Sequence, residues 1–156
     1  MKKLTILLSL FFISSFYISA QADKIVGFYL SEESDAQIKI FKATNGKYYG
    51  KIVWLDDPFE DDGVSPNLDD KNPDESLQSR PVLGLRLLNG FNYDAKDKEW
   101  ADGTIYDPES GNTYDCYMWF DEDNPKKLNI KGFLMGMRFI GRSSVWTKES
   151  KQREME

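Results

Sequence analysis

The chain has 156 residues, with 26 acidic against 20 basic side chains, a formal net charge of −6, one cysteine and no histidine. This length supports one well-buried domain, and the acidic balance disfavours phosphate backbones and anionic lipid surfaces as partners. The lack of histidine excludes Ser-His-Asp and Cys-His triads and the usual His-containing zinc sites.

Taken in order, Met1-Lys2-Lys3 sets positive charge ahead of an apolar run from Leu4 to Ile18 that ends in Ala20-Gln21-Ala22. A basic start, a short apolar core and an Ala-x-Ala site are the features of a secretory signal peptide, here residues 1–22 with cleavage after Ala22. The run is shorter than the ~20 apolar residues of a spanning helix, and no cysteine follows it for lipid attachment. The mature chain is therefore expected to be secreted, in the periplasm, with no membrane span. Losing Lys2 and Lys3 makes it more acidic still, which favours a neutral, cationic or apolar partner over nucleic acid.

Residues 23–148 break into short extended segments. Lys24 to Leu30 reads as a first strand, followed by a polar turn through Asp35. Ile38 and Ile40 then alternate with Lys39, the pattern of a half-exposed strand. Asn45-Gly46 is a hairpin turn, since this pair readily takes positive φ, and Tyr48 to Leu55 returns with Tyr48, Gly50, Ile52 and Trp54 on one face. Residues 56–80 are different, rich in Asp, Asn, Pro and Ser. A loop this long is usually functional or mobile. Counting back from Gly63 puts Pro58 where an EF-hand needs its first acid, so a solvated acidic loop is preferred to a calcium site. No metal and no cofactor is expected.

Val82 to Asn89 reads as a strand, with a single helical turn as the alternative, and Asn92 to Lys98 as a polar connection. Trp100 to Phe120 is the most informative stretch, two strands joined through Asp107-Pro108-Glu109-Ser110-Gly111. Beyond that turn Tyr114, Cys116, Met118 and Phe120 share one face, and Thr113, Asp115, Tyr117 and Trp119 the other. Cys116, the only cysteine, reads as a small buried hydrophobe. After a turn at Asp121–Lys126, Leu128, Ile130, Gly132 and Leu134 alternate with Asn129, Lys131 and Phe133. Gly136 breaks this strand, Arg138 to Thr147 forms the last one, and residues 149–156 are a charged tail expected to fray. About eight strands with no long helix predict an all-β chain, a single antiparallel, mostly up-and-down barrel.

The terminal motifs resemble those of the lipocalin-like, or calycin, barrels. These carry Gly-x-Trp on the first strand and an Arg on the last strand that packs across the Trp. Gly27-Phe28-Tyr29 and Arg142 to Trp146 match that pattern, with Tyr29 in place of the Trp. The resemblance implies that Gly27, Tyr29, Arg142 and Trp146 close the barrel floor. A second resemblance spans nearly the whole mature chain. Asp70-Lys71-Asn72-Pro73-Asp74, Leu77 through Arg80-Pro81 to Gly84, Trp100-Ala-Asp-Gly103 through Tyr106-Asp107-Pro108 with Gly111 and Tyr114, Lys131-Gly132, and Gly141-Arg142 to Trp146 are similar to the domain of unknown function 2147 family. The resemblance implies a small secreted bacterial protein and adds no activity.

A barrel of this size is either filled by its own side chains or holds one small ligand. Gly50, Gly84, Gly103 and Gly132 fit tight bends or open lumen equally well. Trp54, Arg80, Arg86, Trp100, Tyr106 and Tyr114 are the candidate ligand-binding residues. Asp102 and Asp107 have no nucleophile–base partner, so no catalytic residue is assigned. The leading expectation is non-catalytic binding of a small apolar or amphipathic molecule. The alternative is a protein–protein interaction module of the cell envelope that uses the acidic loop 56–80 and a sheet edge, and the third reading is a cell-envelope polymer hydrolase.

Overall fold

A computed structural model describes residues 20–155, so the basic start and apolar run of the expected signal peptide lie outside the described residues. Eight strands follow in sequence: β1 (Gly27–Leu30), β2 (Ala36–Lys42), β3 (Tyr48–Leu55), β4 (Arg86–Asp94), β5 (Glu99–Asp107), β6 (Asn112–Phe120), β7 (Lys127–Phe133) and β8 (Gly141–Glu149). Each pairs antiparallel with the next, and β8 returns to β1, so the sheet is a closed up-and-down barrel. Closure pairs every strand on both sides, although β1 covers only Thr147–Glu149 of β8 and leaves Gly141–Trp146 without a strand partner on that side. The connections alternate between ends. Residues 20–26 and the β2–β3, β4–β5 and β6–β7 turns make the floor; the β1–β2, β3–β4, β5–β6 and β7–β8 connections make the mouth.

Strands β1, β4 and β8 have other bounds than the sequence reading gave them. Strand β1 begins at Gly27 rather than Lys24. Val82 belongs to the long loop, because its N–H donates to the Asn67 carbonyl at 2.9 Å and Gly84 turns the chain at φ +91°. Strand β4 therefore starts at Arg86 and runs through Asp94, taking in residues read as a connection. At the other end β8 starts at Gly141, since residues 134–140 form two successive turns closed by Met137 N–H to Leu134 O and Ile140 N–H to Met137 O.

The floor half of the lumen is filled. Tyr29, Tyr48, Leu88, Phe91, Trp100, Met118 and Leu128 are all buried there, each large apolar side chain stabilising the fold by about 1.5–3 kcal/mol. Trp100 sits edge-on to Tyr48 and Phe120, and its indole N–H donates to the Ala22 carbonyl at 3.0 Å. A Cβ at Gly103 would overlap the Phe91 ring, and one at Gly50 would overlap Leu88, so these glycines make room for large neighbours rather than for a ligand.

The register of β1 on β8 pairs Tyr29 with Lys148. The Lys148 ammonium lies 5.5 Å from the centroid of the Tyr29 ring and donates to the Lys24 carbonyl at 2.6 Å, while the Tyr29 hydroxyl donates to the Ile25 carbonyl at 2.8 Å. Lys148 is thus the cation over Tyr29, with Lys24 over Trp100 and Phe120 beside it at the floor. Arg142, expected there, lies six residues back along β8, about 20 Å at strand rise. Its side chain is 89% exposed at the mouth, 3.6 Å from Glu33. Trp146 pairs with Leu128 and is buried above the floor.

The tail, described as far as residue 155, makes contacts with the barrel. It folds along the outer wall, where the Arg153 backbone N–H donates to Gln37 Oε1 at 3.0 Å. The Arg153 guanidinium grips Glu149 through Nε and a terminal nitrogen and lies 4.9 Å from the Trp54 ring centroid. A bulge at Gln37/Ile38 pairs Trp54 with the fully buried Gln37. Both residues need cover on the outside, and the tail supplies it.

Candidate functional site

Above the packed floor the mouth is open, and its long loop is held in place by one buried cluster. Asp69 is fully buried. It accepts hydrogen bonds from Tyr106 OH (2.5 Å), Asn72 Nδ2 (2.8 Å) and Arg80 Nε (2.8 Å), with a second Arg80 nitrogen also at 2.8 Å. Burial pushes the Asp69 carboxyl up, yet the bonds from Tyr106, Asn72 and Arg80 together outweigh it and hold the group below its ordinary value. The same desolvation, with Asp69 beside it, pushes Tyr106 up to about 12. Asp74 caps the short 3₁₀ turn Glu75–Leu77, accepting from Ser76 N–H at 3.0 Å. The loop then meets the β5–β6 turn, where a Cβ at Gly111 would run into the Lys71 carbonyl. The long acidic loop is therefore an ordered wall of the mouth.

Inside the mouth, between β4–β8 and the β5–β6 and β7–β8 connections, lies an open cavity of about 410 Å³, lined mostly by apolar side chains including Leu87, Ile105, Tyr114, Ile130, Trp146 and Ile140. A recess of about 550 Å³ lies against it on the loop side and shares Leu87, Trp146 and Pro108. Gly132 opens the wall here. A Cβ added to it would make only ordinary contacts, 3.5 Å from Ile105 and Tyr114. Ser144 and Arg142, paired across from Ile130 and Gly132, bring a hydroxyl and a guanidinium to the otherwise apolar side. Two larger depressions, about 740 and 660 Å³, are shallow polar grooves on the outer surface, one under the tail and one beside Arg138.

Of the six candidate ligand residues, Tyr114 lines this cup. Tyr106 touches its edge, but its hydroxyl is committed to Asp69. The other four lie elsewhere. Trp100 is floor packing, Trp54 is covered from outside by Arg153, and Arg80 is taken up by Asp69. Arg86 is exposed on the outer wall, 5.1 Å from the Tyr49 centroid. The sequence reading missed Leu87, Ile105, Ile130 and Ser144. The alternation of Leu128, Ile130 and Gly132 was the available signal, since small and apolar residues share that face. Cys116 is buried, and burial pushes its thiol up to about 12, which makes it an unreactive core residue. Among the described residues no cluster of three or more His, Cys, Asp or Glu is arranged to hold a metal.

An eight-stranded closed meander, packed at one end and open as an apolar cup at the other, is a lipocalin-like β-barrel. The chain belongs to the bacterial family described as "Uncharacterized protein conserved in bacteria (DUF2147)", whose family model matches residues 27–148. Its fold is similar to that of protein HP1028 from the human pathogen Helicobacter pylori, described as belonging to the lipocalin family. The two share 20% identity over 81% of this chain and 83% of that one, with a TM-score of 0.66. No curated protein matches the chain.

Proposed function

We propose that this chain is an exported, periplasmic, non-catalytic binder of one small apolar or amphipathic molecule, held in the mouth cup with its polar end near Arg142 and Ser144. The observation that carries this reading is the split lumen. A barrel that needed only stability would fill both ends, whereas here the apolar cavity of about 410 Å³ stays open under Trp146 and Ile130. Arg142 is the arginine that lines this cup, and its one ion pair, to Glu33 at 3.6 Å, is exposed to solvent and so weak enough for a polar head group to replace.

The test is native mass spectrometry of protein purified from its own host, combined with titration of an apolar fluorescent probe. The parent should carry a bound mass or take up one probe per chain, and Ser144→Phe, which fills the cup, should abolish both while the far-UV spectrum is unchanged. Equal probe affinity in parent and Ser144→Phe would sink the reading.

A further inference from the structure

The connection between β7 and β8 carries an observation that ligand binding does not use. Its sequence, Leu134-Met-Gly-Met-Arg-Phe-Ile140, contains Leu134, Met135, Phe139 and Ile140 with 52%, 83%, 79% and 56% of their surface exposed. Single exposed apolar residues are ordinary, as with Val64 between Asp62 and Ser65, but four in one seven-residue tip form a patch that marks a contact site. Two turns shape this tip, and its middle is held against the outer face of β5 and β6: Gly136 N–H donates to Asp115 Oδ2 at 3.4 Å, and Arg138 lies 3.8 Å from the Tyr117 ring centroid and pairs with Glu99. Leu134 and Ile140 also line the cup, so the exposed tip borders the cavity through these two residues.

We propose that this tip docks the barrel on the surface of an electrically neutral lipid bilayer, with Met135 and Phe139 entering the apolar layer and the cup facing the lipid. Two features select this occupant. At ~200 Å² for a large side chain the patch offers roughly 500 Å², below the ~800 Å² per partner of a stable dimer. A bilayer needs only a few penetrating side chains, not a complementary face. The charge of the bilayer follows from the rim, where Glu33, Asp57, Glu60, Asp70 and Glu109 outnumber Lys71 and Arg142 around the mouth and so disfavour anionic lipid.

Flotation with phosphatidylcholine vesicles tests the proposal, with a Phe139→Trp chain as a second readout. The mature chain should float with the vesicles, the tryptophan at position 139 should shift its emission to the blue on mixing, and the double variant Met135→Ser/Phe139→Ser should lose at least tenfold in partitioning with its thermal midpoint kept. Adding anionic lipid should not strengthen binding. The proposal is overturned if the parent does not float and the reporter does not shift, if the double variant floats like the parent, or if only anionic vesicles bind. It is also overturned if sedimentation finds a dimer that the double variant abolishes.

Discussion

Lys148 on the last strand and Tyr29 on the first are paired across the seam of the barrel, with the ammonium 5.5 Å from the ring centroid and donating to the Lys24 carbonyl at 2.6 Å. One side chain thus joins β8, β1 and the segment that covers the floor. Burial lowers the Lys148 pKa, and the Lys24 carbonyl and the Tyr29 ring are the groups that face its ammonium. Lys148→Ala should destabilise the fold by about 1 kcal/mol, from the lost contact with the Tyr29 ring and the lost bond to the Lys24 carbonyl, which water can replace because the bond is exposed. Arg142→Ala, at the opposite end and largely exposed, should stay within about 0.5 kcal/mol. Denaturant melts of the two variants distinguish the floor from the mouth as the place of closure.

Acid should release the long loop before it opens the barrel. The folded-state pKa of Asp69 is depressed, so its contribution is fully present above the unfolded carboxylate value of ~3.9 and is lost as pH falls through the lower folded value. Between pH 7 and 5 loop protection should be flat. Below pH 4 limited proteolysis within residues 56–85 should rise. Asp69→Asn should show the same susceptibility at pH 7 and no further acid step from this group; an unchanged acid profile would show that the loop is held by other contacts.

The same substitution should have opposite consequences at two strand glycines. Gly103→Ala pushes a methyl group into the Phe91 ring and should cost about 1–3 kcal/mol, whereas Gly132→Ala meets Ile105 and Tyr114 at ordinary distance and should be within about 0.5 kcal/mol of the parent. Thermal melts with matched ligand-free samples measure the difference. A costly Gly132→Ala would indicate a mouth packed as tightly as the floor.

Removing residues 151–156 should uncover Trp54. The Glu149 carboxylate, held below its ordinary value first by hydrogen bonds from Arg153, would lose that partner, and Gln37 would lose the Arg153 N–H. A loss of about 1–2 kcal/mol is expected, mostly from the exposed ring, since an accessible ion pair adds little. A red shift in tryptophan emission that is absent from Trp54→Phe with the same truncation assigns the effect.

Much of the architecture was legible in local patterns. Strand alternation, the Asn45-Gly46 and Asp107–Gly111 turns, and the Gly27-x-Tyr29 start each depend on residues close in sequence, and they suffice to predict an antiparallel barrel of about eight strands. The site was less legible. Positions 142, 144, 146 and 148 all share one face of β8, so alternation alone cannot tell which of them reaches Tyr29; the register between β1 and β8 decides that, and it selects Lys148. The bulge that pairs Trp54 with Gln37, the buried Asp69 that gathers Asn72, Arg80 and Tyr106, and the tail that covers Trp54 likewise join residues distant in the chain. Periodicity reports which way a side chain faces relative to its neighbours. Where it sits along the barrel axis, whether at the packed floor or in the open mouth, is set by pairings between strands, and only the closed tertiary structure contains them.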